Sequence, residues 1–242
     1  MTSDAHDDAG LELRLRLPAG SVPLDRIAFA EVELVATGSA ATVSARLNLI
    51  EGDLELQVTG PDRRVARALW PWPADSAPRS VDLAAGQRLV AAVPLISEGS
   101  TPLFPAPGRY EVVAGFSVRP GETLTSNTEV LVRTAGDDAA LAADLRDRDV
   151  VQSLLGAGVI GAAEPALERL ADSSDAGTAA AARLALSRTD ALADGDADPD
   201  VSRAVAALLP PGATGQDERR EAVASRATPR DVAMLSGRPI DE

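Results

Sequence analysis

The chain is 242 residues long, with 37 Asp plus Glu against 23 basic residues that are all Arg, one His, no Cys and a formal net charge of −14. Without Cys there is no disulfide, thiolate nucleophile or iron–sulfur cluster, and without Lys there is no Schiff base and no P-loop lysine. The single His6 has no second imidazole to share a zinc ion with, and it puts the only histidine base for a serine triad in the N-terminal stretch 1–9, which reads as disordered.

Apolar residues make up 45% and aromatics only 2%, so a core must be built from Leu, Val and Ala. No run of 18 apolar residues exists, so no transmembrane helix is expected. The opening Met1–Gly10 is polar and acidic, unlike a secretory leader, so a cytoplasmic location is expected. The acidic charge repels phosphate backbones and anionic lipids, so neither nucleic acid nor membrane is an expected partner. The small basic group Arg63, Arg64 and Arg67 reads as a solvated turn.

From residue 10 onward the apolar residues alternate with polar ones. Leu11, Leu13, Leu15 and Leu17 share one face, as do Val43, Ala45, Leu47 and Leu49, then Leu54, Leu56 and Val58. Tyr110, Val112, Ala114, Phe116 and Val118 form a longer set, and Thr128, Val130 and Val132 close the series. Side chains two apart lie on the same side of a strand, so each run predicts a half-buried strand. Further strands are expected at Phe29–Ala36, Ser80–Leu83 and Arg88–Pro94. Turn-formers separate them, including Pro18-Ala19-Gly20, Gly60-Pro61-Asp62 and Arg119-Pro120-Gly121. There is no room for helical crossovers, so the expected fold over 10–135 is an all-β antiparallel sandwich.

Pro107-Gly108-Arg109-Tyr110-Glu111-Val112 resembles the tyrosine corner of immunoglobulin-like domains. Val112 stands where antibody domains carry their second Cys, so the resemblance is to the Cys-free immunoglobulin-like domains of bacterial proteins. The Leu83-Ala84-Ala85-Gly86-Gln87 turn followed by a late Pro-Gly-x-Tyr strand is similar to the intracellular proteinase-inhibitor type. The resemblance implies the fold and leaves inhibition aside.

The composition changes near residue 136. All six aromatics precede it, and Ala rises from 20 in residues 1–136 to 26 in the shorter remainder. Leu141, Leu145, Val151, Leu154 and Leu155 have helical spacing, Leu167, Leu170 and Ala171 share a stripe, and Ala180, Leu184 and Leu186 fall in a further helix. Glu164-Pro165 and Asp198-Pro199 suit helix starts. Asp198-Pro199-Asp200-Val201 followed by Arg203 and paired small residues resembles the second helix of a HEAT repeat, and Ala163–Leu170 is similar to a first helix. Residues 137–227 are thus expected to be an all-α HEAT-like segment with room for about two units, fewer than the roughly three that an independent solenoid needs. The stretch 228–242, with Pro229, Gly237 and Pro239, is expected to be a mobile tail.

Two loops stand out as binding candidates. Trp70-Pro71-Trp72-Pro73 carries both tryptophans, either packed against a sandwich edge or presented to a partner. The Ser97–Pro107 loop sets Leu103 and Phe104 among three prolines, either as a rigid contact or as a plug for the core. Asp194, Asp196 and Asp198 alternate like the first half of an EF-hand loop. Pro199 occupies the sixth position, where Gly makes the turn, and Val205 the twelfth, where Glu completes the ligand set. The cluster therefore reads as an acidic linker with Asp198 as a helix cap, and no metal or other cofactor is expected. The acidic residues sit at the polar positions of alternating strands, and six aromatics do not build a sugar cleft, so no catalytic residues and no enzyme are expected. The expected function is a non-enzymatic protein-interaction module with a partner of basic character. A proteinase inhibitor acting through a Pro-rich loop, or an assembly component forming homo-oligomers by edge pairing, are the alternatives.

Overall fold

The structure is a computed structural model, and it describes residues 10–72, 77–99, 101–188, 198–209, 223–224 and 228–241. The β-rich part runs through β1 (Leu11–Arg16), β2 (Ser21–Pro23), β3 (Ala28–Ala36), β4 (Ala41–Ser44), β5 (Leu54–Thr59), β6 (Val65–Ala68), β7 (Ser80–Leu83), β8 (Arg88–Leu95), β9 (Ser97–Glu98), β10 (Thr101–Pro102), β11 (Gly108–Arg119), β12 (Glu122–Thr125) and β13 (Glu129–Thr134). Strands β1, β3 and β8 form one antiparallel sheet, and β2, β13, β11, β5 and β6 lie in that order across a second, with β12 folded back on β11. The β4–β7 pair and the short β9–β10 hairpin complete the β part.

Alternation predicts the inward faces well where the sequence is Leu-rich. Leu13, Leu15, Leu54, Leu56, Val58 and every second residue of β11 from Tyr110 to Val118 are buried in one common core. Three details differ from expectation. The strand expected over 43–49 stops at Ser44, because Asn48 turns the chain: its N–H reaches Arg46 O at 2.8 Å and its Oδ1 accepts the Glu51 N–H at 3.0 Å. β13 has the opposite face inward. Tyr110 pairs with Leu131, and paired residues share a face, so Leu131 and Arg133 are buried while Val130 and Val132 are only half-covered. β2 pairs with β13 in parallel, Ser21 opposite Val132, across a sheet that is otherwise antiparallel. That pairing needs no crossover helix because the rest of the β part supplies the connection.

The helical part follows as α1 (Ala139–Asp144), α2 (Arg148–Gln152), a π-helical turn (Ser153–Ala157), α3 (Glu164–Ala171), α4 (Ala176–Ala185), α5 (Pro199–Leu208) and α6 (Pro229–Ser236). Part of its acidity is structural. The carboxylates of Asp138, Asp147, Asp175 and Asp198 each accept backbone N–H groups at a helix start, an arrangement worth roughly 1 kcal/mol per cap. Among the described residues no helix is long and apolar enough to cross a membrane.

Strand β3 sits in the middle of three layers. Ala28, Ala30, Val32, Leu34 and Ala36 face the second sheet, whereas Phe29 enters a separate core with Val90, Ala92 and the helices. Burial of Phe29 contributes roughly 1.5–3 kcal/mol to holding the helices on the sheet. Gly177 makes the approach of α4 close: a Cβ there would lie 3.2 Å from the Phe29 ring and 3.4 Å from Asp200 O. Thr178 Oγ1 accepts the Ile27 N–H at 2.9 Å and donates to Asp175 at 2.6 Å, tying the start of α4 to the strand entry.

In the stretch expected to be a mobile tail, the described residues 228–241 are instead docked. Thr228 and Asp231 cap α6 reciprocally, Gly237 ends it with φ 63°, and Ala233, Met234 and Leu235 are buried. Beyond it Ile240 and Arg88 exchange backbone hydrogen bonds of 3.0 and 2.9 Å, so Ile240 bridges to the start of β8.

Candidate interaction site

The predicted contact residues separate into buried and exposed. Leu103 and Phe104 are in the β core. The Phe104 ring meets Tyr110 edge-to-face with centroids 4.9 Å apart, and the Arg133 guanidinium lies over the ring, 4.9 Å from its centre. The Tyr110 hydroxyl donates to Ala106 O at 2.7 Å, fixing the end of the same loop. The loop is a plug, and neither side chain is presented to a partner as a contact loop would require.

Trp70 is half-buried against the helical core, and its ring would lie 3.5 Å from a Cβ at Gly156. That approach suits a residue with φ 94°, a conformation glycine adopts without strain. Trp72 is 37% exposed. The two tryptophans therefore have different roles, one joining the layers and one facing out.

Trp72 has exposed apolar company that alternation did not reveal. Val65 is 55% exposed and Leu69 45%, and with Trp72 they are three of the five large hydrophobics exposed among the described residues. The cause is an inverted strand. In β6 the small Ala66 and Ala68 point into the core while Val65 and Arg67 point out. The signal was Ala at alternate positions, which Arg63, Arg64 and Arg67 made look like a solvated turn.

β6 is the last strand of its sheet, and its outer edge is already occupied. The Arg67 N–H donates to Glu98 Oε1 at 3.1 Å, the Leu69 N–H to Ser97 O at 3.1 Å, and Arg64 holds the Glu98 carboxylate at 2.7 Å. A covered edge does not recruit another strand through its backbone. What this surface offers is side chains.

A groove of about 850 Å³ lies elsewhere, between β4 and the turn joining β11 to β12. Its acidic group, Asp53, accepts from Ser44 Oγ at 2.6 Å and from Arg46 Nε at 2.9 Å. Burial opposes ionisation of Asp53, but the hydrogen bonds from Arg46 and Ser44 outweigh it and hold its pKa below 3.8. An ionised, fully paired carboxylate has no proton to give at neutral pH.

Asp198 accepts the Asp200 N–H at 2.8 Å as the cap of α5. Asp194 and Asp196 lie outside the described residues, as does His6. Among the described residues no group of three His, Cys, Asp or Glu is placed to hold a metal ion.

No protein-family model matches the chain, and no curated protein sequence matches it. Among solved structures it is similar to the sporulation control protein of Bacillus subtilis, with a TM-score of 0.32 and 12% identity over 52% of this chain and 50% of that one. It is also similar to a mutant β-glucosidase from Listeria innocua with laminaribiose bound, at TM-score 0.31 and 18% identity over 52% of this chain and 16% of that one. The β-glucosidase with isofagomine gives TM-score 0.31 and 17% identity over the same shares, 52% and 16%. The chain spans half or less of these relatives, and likenesses this distant carry no argument about function.

Proposed function

We propose that the protein is a non-enzymatic protein-interaction module that engages its partner through the outward side chains of the β6 region. The carrying observation is that Val65, Leu69 and Trp72 are three exposed apolar side chains within eight residues of sequence beside a covered strand edge. Aromatic and aliphatic groups on an otherwise polar surface are the usual anchors of a protein contact. The net charge of −14 favours encounter with a partner of basic character.

The fold reading that accompanies this proposal is an immunoglobulin-like sandwich joined to a HEAT-like helical segment. The Tyr110–Ala106 hydrogen bond and the parallel β2–β13 edge support the first part. The Asp198-Pro199 start of α5, packed beside α4, supports the second.

Affinity capture from a native lysate with the wild type and with a Leu69→Ser, Trp72→Ser double variant tests the function. A protein retained by the wild type and lost by a variant of unchanged melting temperature supports the reading. Equal capture by both, or capture of chaperones alone, overturns it. Light scattering on the same pair shows whether the partner is a second copy of this chain.

A further inference from the structure

Arg133 is a buried cation in an unusual place. It occupies an inward position of β13, two residues from Leu131, and is 4% exposed. One nitrogen, Nη2, donates to Arg26 O at 2.9 Å. The other two, Nε and Nη1, are buried and have no hydrogen-bond partner among the described residues. Among the described residues no carboxylate lies within ion-pair distance of it. Burial pushes its pKa down to about 10, against the influence of Tyr110, Asp25 and Asp175, so it remains a cation at neutral pH. An unpaired buried charge with unused donors is costly, and native proteins rarely leave one without a counter-charge or a polar guest.

Arg133 lines a small cavity of about 30 Å³ at the seam between the β part and the helices. Its other lining includes Arg26 and Arg146, over an apolar floor that includes Ile27, Leu95 and Phe104. Among the described residues no Asp or Glu lines it. Arg26 is only loosely engaged, 3.8 Å from Asp175, and Arg146 is exposed with no ion pair among the described residues. A cavity of this size exceeds the roughly 10–15 Å³ that a single water needs. Three arginines line it: Arg26 from the β2–β3 loop, Arg133 from β13 and Arg146 just after α1.

We propose that this cavity is a binding site for one small monovalent anion, a halide or a single formate-sized carboxylate, held by Arg133 with Arg26 and Arg146 at the rim. The anion neutralises Arg133 and occupies donors that the protein leaves unused. Because its ligands come from both parts of the chain, it braces the helices against the β part. The site is separate from the β6 surface and stands or falls independently of the function proposed there.

Chloride-35 NMR and bromide-soaked crystals test the site. The wild type is expected to broaden the chloride line in a saturable way, with bromide competing, and bromide is expected to give an anomalous peak beside Arg133. Formate added in the same titration distinguishes the two anion types: displacement of chloride by formate shows that the site takes a carboxylate group, and its failure restricts the site to halides. Arg146→Gln, at an exposed position, is expected to weaken halide binding several-fold without changing the melting temperature in the absence of halide. Arg133→Gln is expected to abolish the broadening; if it does not fold, Arg146→Gln and the bromide peak decide. Equal broadening by wild type and Arg146→Gln with no peak beside Arg133, or density there that a water bridging to Asp25 explains in full, overturns the proposal.

Discussion

Arg230 in α6 donates to Glu33, a carboxylate with no exposed surface in the middle of β3, and also to Glu31 at 2.7 Å. The two residues are 197 positions apart. Glu31 and Glu33 lie on the side of β3 that faces the helices, and Arg203 of α5 holds Glu31 at 2.6 Å. The helical part therefore meets the sheet through an apolar patch around Phe29 and through the buried Glu33 and half-buried Glu31, both answered by arginines.

Among the described residues, removing Arg230 leaves Glu33 the longer contacts to Arg16 at 3.5 Å and Arg88 at 3.6 Å. Breaking a buried pair from one side typically costs about 3–5 kcal/mol, and these longer contacts place the expected loss for Arg230→Met at about 3 kcal/mol. Urea unfolding measures it. Hydrogen exchange should show the loss of protection concentrated in 228–241, and unchanged stability would mean that Arg16 and Arg88 suffice.

The same network sets the acid limit of the fold. Burial opposes ionisation of Glu31, but hydrogen bonds from Arg230 and Arg203 outweigh it and hold its pKa below 4.5. In the unfolded chain the carboxyl regains its ordinary value, so between the two values the unfolded state binds more protons and stability rises with pH. The contribution is complete above the unfolded value and disappears as pH falls through the folded one. Asp53, held below 3.8 in the β4 groove, acts in the same direction. Denaturant unfolding across the acidic range should show constant stability near neutrality and a decline below about pH 4.5. Glu31→Gln should be less stable at neutral pH and show a shallower decline; an unchanged slope would remove Glu31 from the account.

The passage from sheets to helices leaves no space at Gly136. A Cβ there would fall 2.4 Å from Asp25 Cγ and 2.6 Å from its Oδ2. That oxygen accepts the N–H of Asp138 at 2.9 Å, and Asp138 caps α1. Gly136→Ala must displace Asp25, and overpacking of this kind costs about 1–3 kcal/mol. Thermal unfolding of Gly136→Ala beside Gly121→Ala, whose site has open space around it but a φ of 80°, separates the steric effect from backbone strain. Equal losses would count against the steric reading.

The two tryptophans should report separately. With Trp70 packed on the helical part and Trp72 facing out, Trp70→Phe leaves an emitter that acrylamide quenches readily. Trp72→Phe leaves a shielded one with emission at shorter wavelength. Equal quenching constants for the two variants would show that the indoles share one environment. The Trp72→Phe protein is also expected to lose affinity for a captured partner while keeping its stability, since aromatic anchors dominate such contacts.

Local pattern determined much of this molecule. Leu-rich alternation marked β1, β5 and β11, turn residues marked their ends, and Asp or Pro marked the starts of α3 and α5, because period, turn chemistry and caps are properties of neighbouring residues. The loss of aromatics and rise of Ala near residue 136 marked where sheets give way to helices, the place where Gly136 now packs on Asp25. Tertiary structure decided the rest. Which side of β13 faces in depended on its pairing with β11, which buried Arg133 where Val132 was expected. Whether the Pro-rich loop presents or plugs Phe104 depended on Tyr110 and Arg133 meeting it. The final helix is held by carboxylates nearly two hundred positions earlier, a charge complementarity no local window contains. The exposed apolar surface at Val65, Leu69 and Trp72 arises because β6 fills its inward positions with alanine, and a short Ala–Val–Arg alternation carries too little contrast in hydrophobicity to declare its inner face before its neighbours are in place.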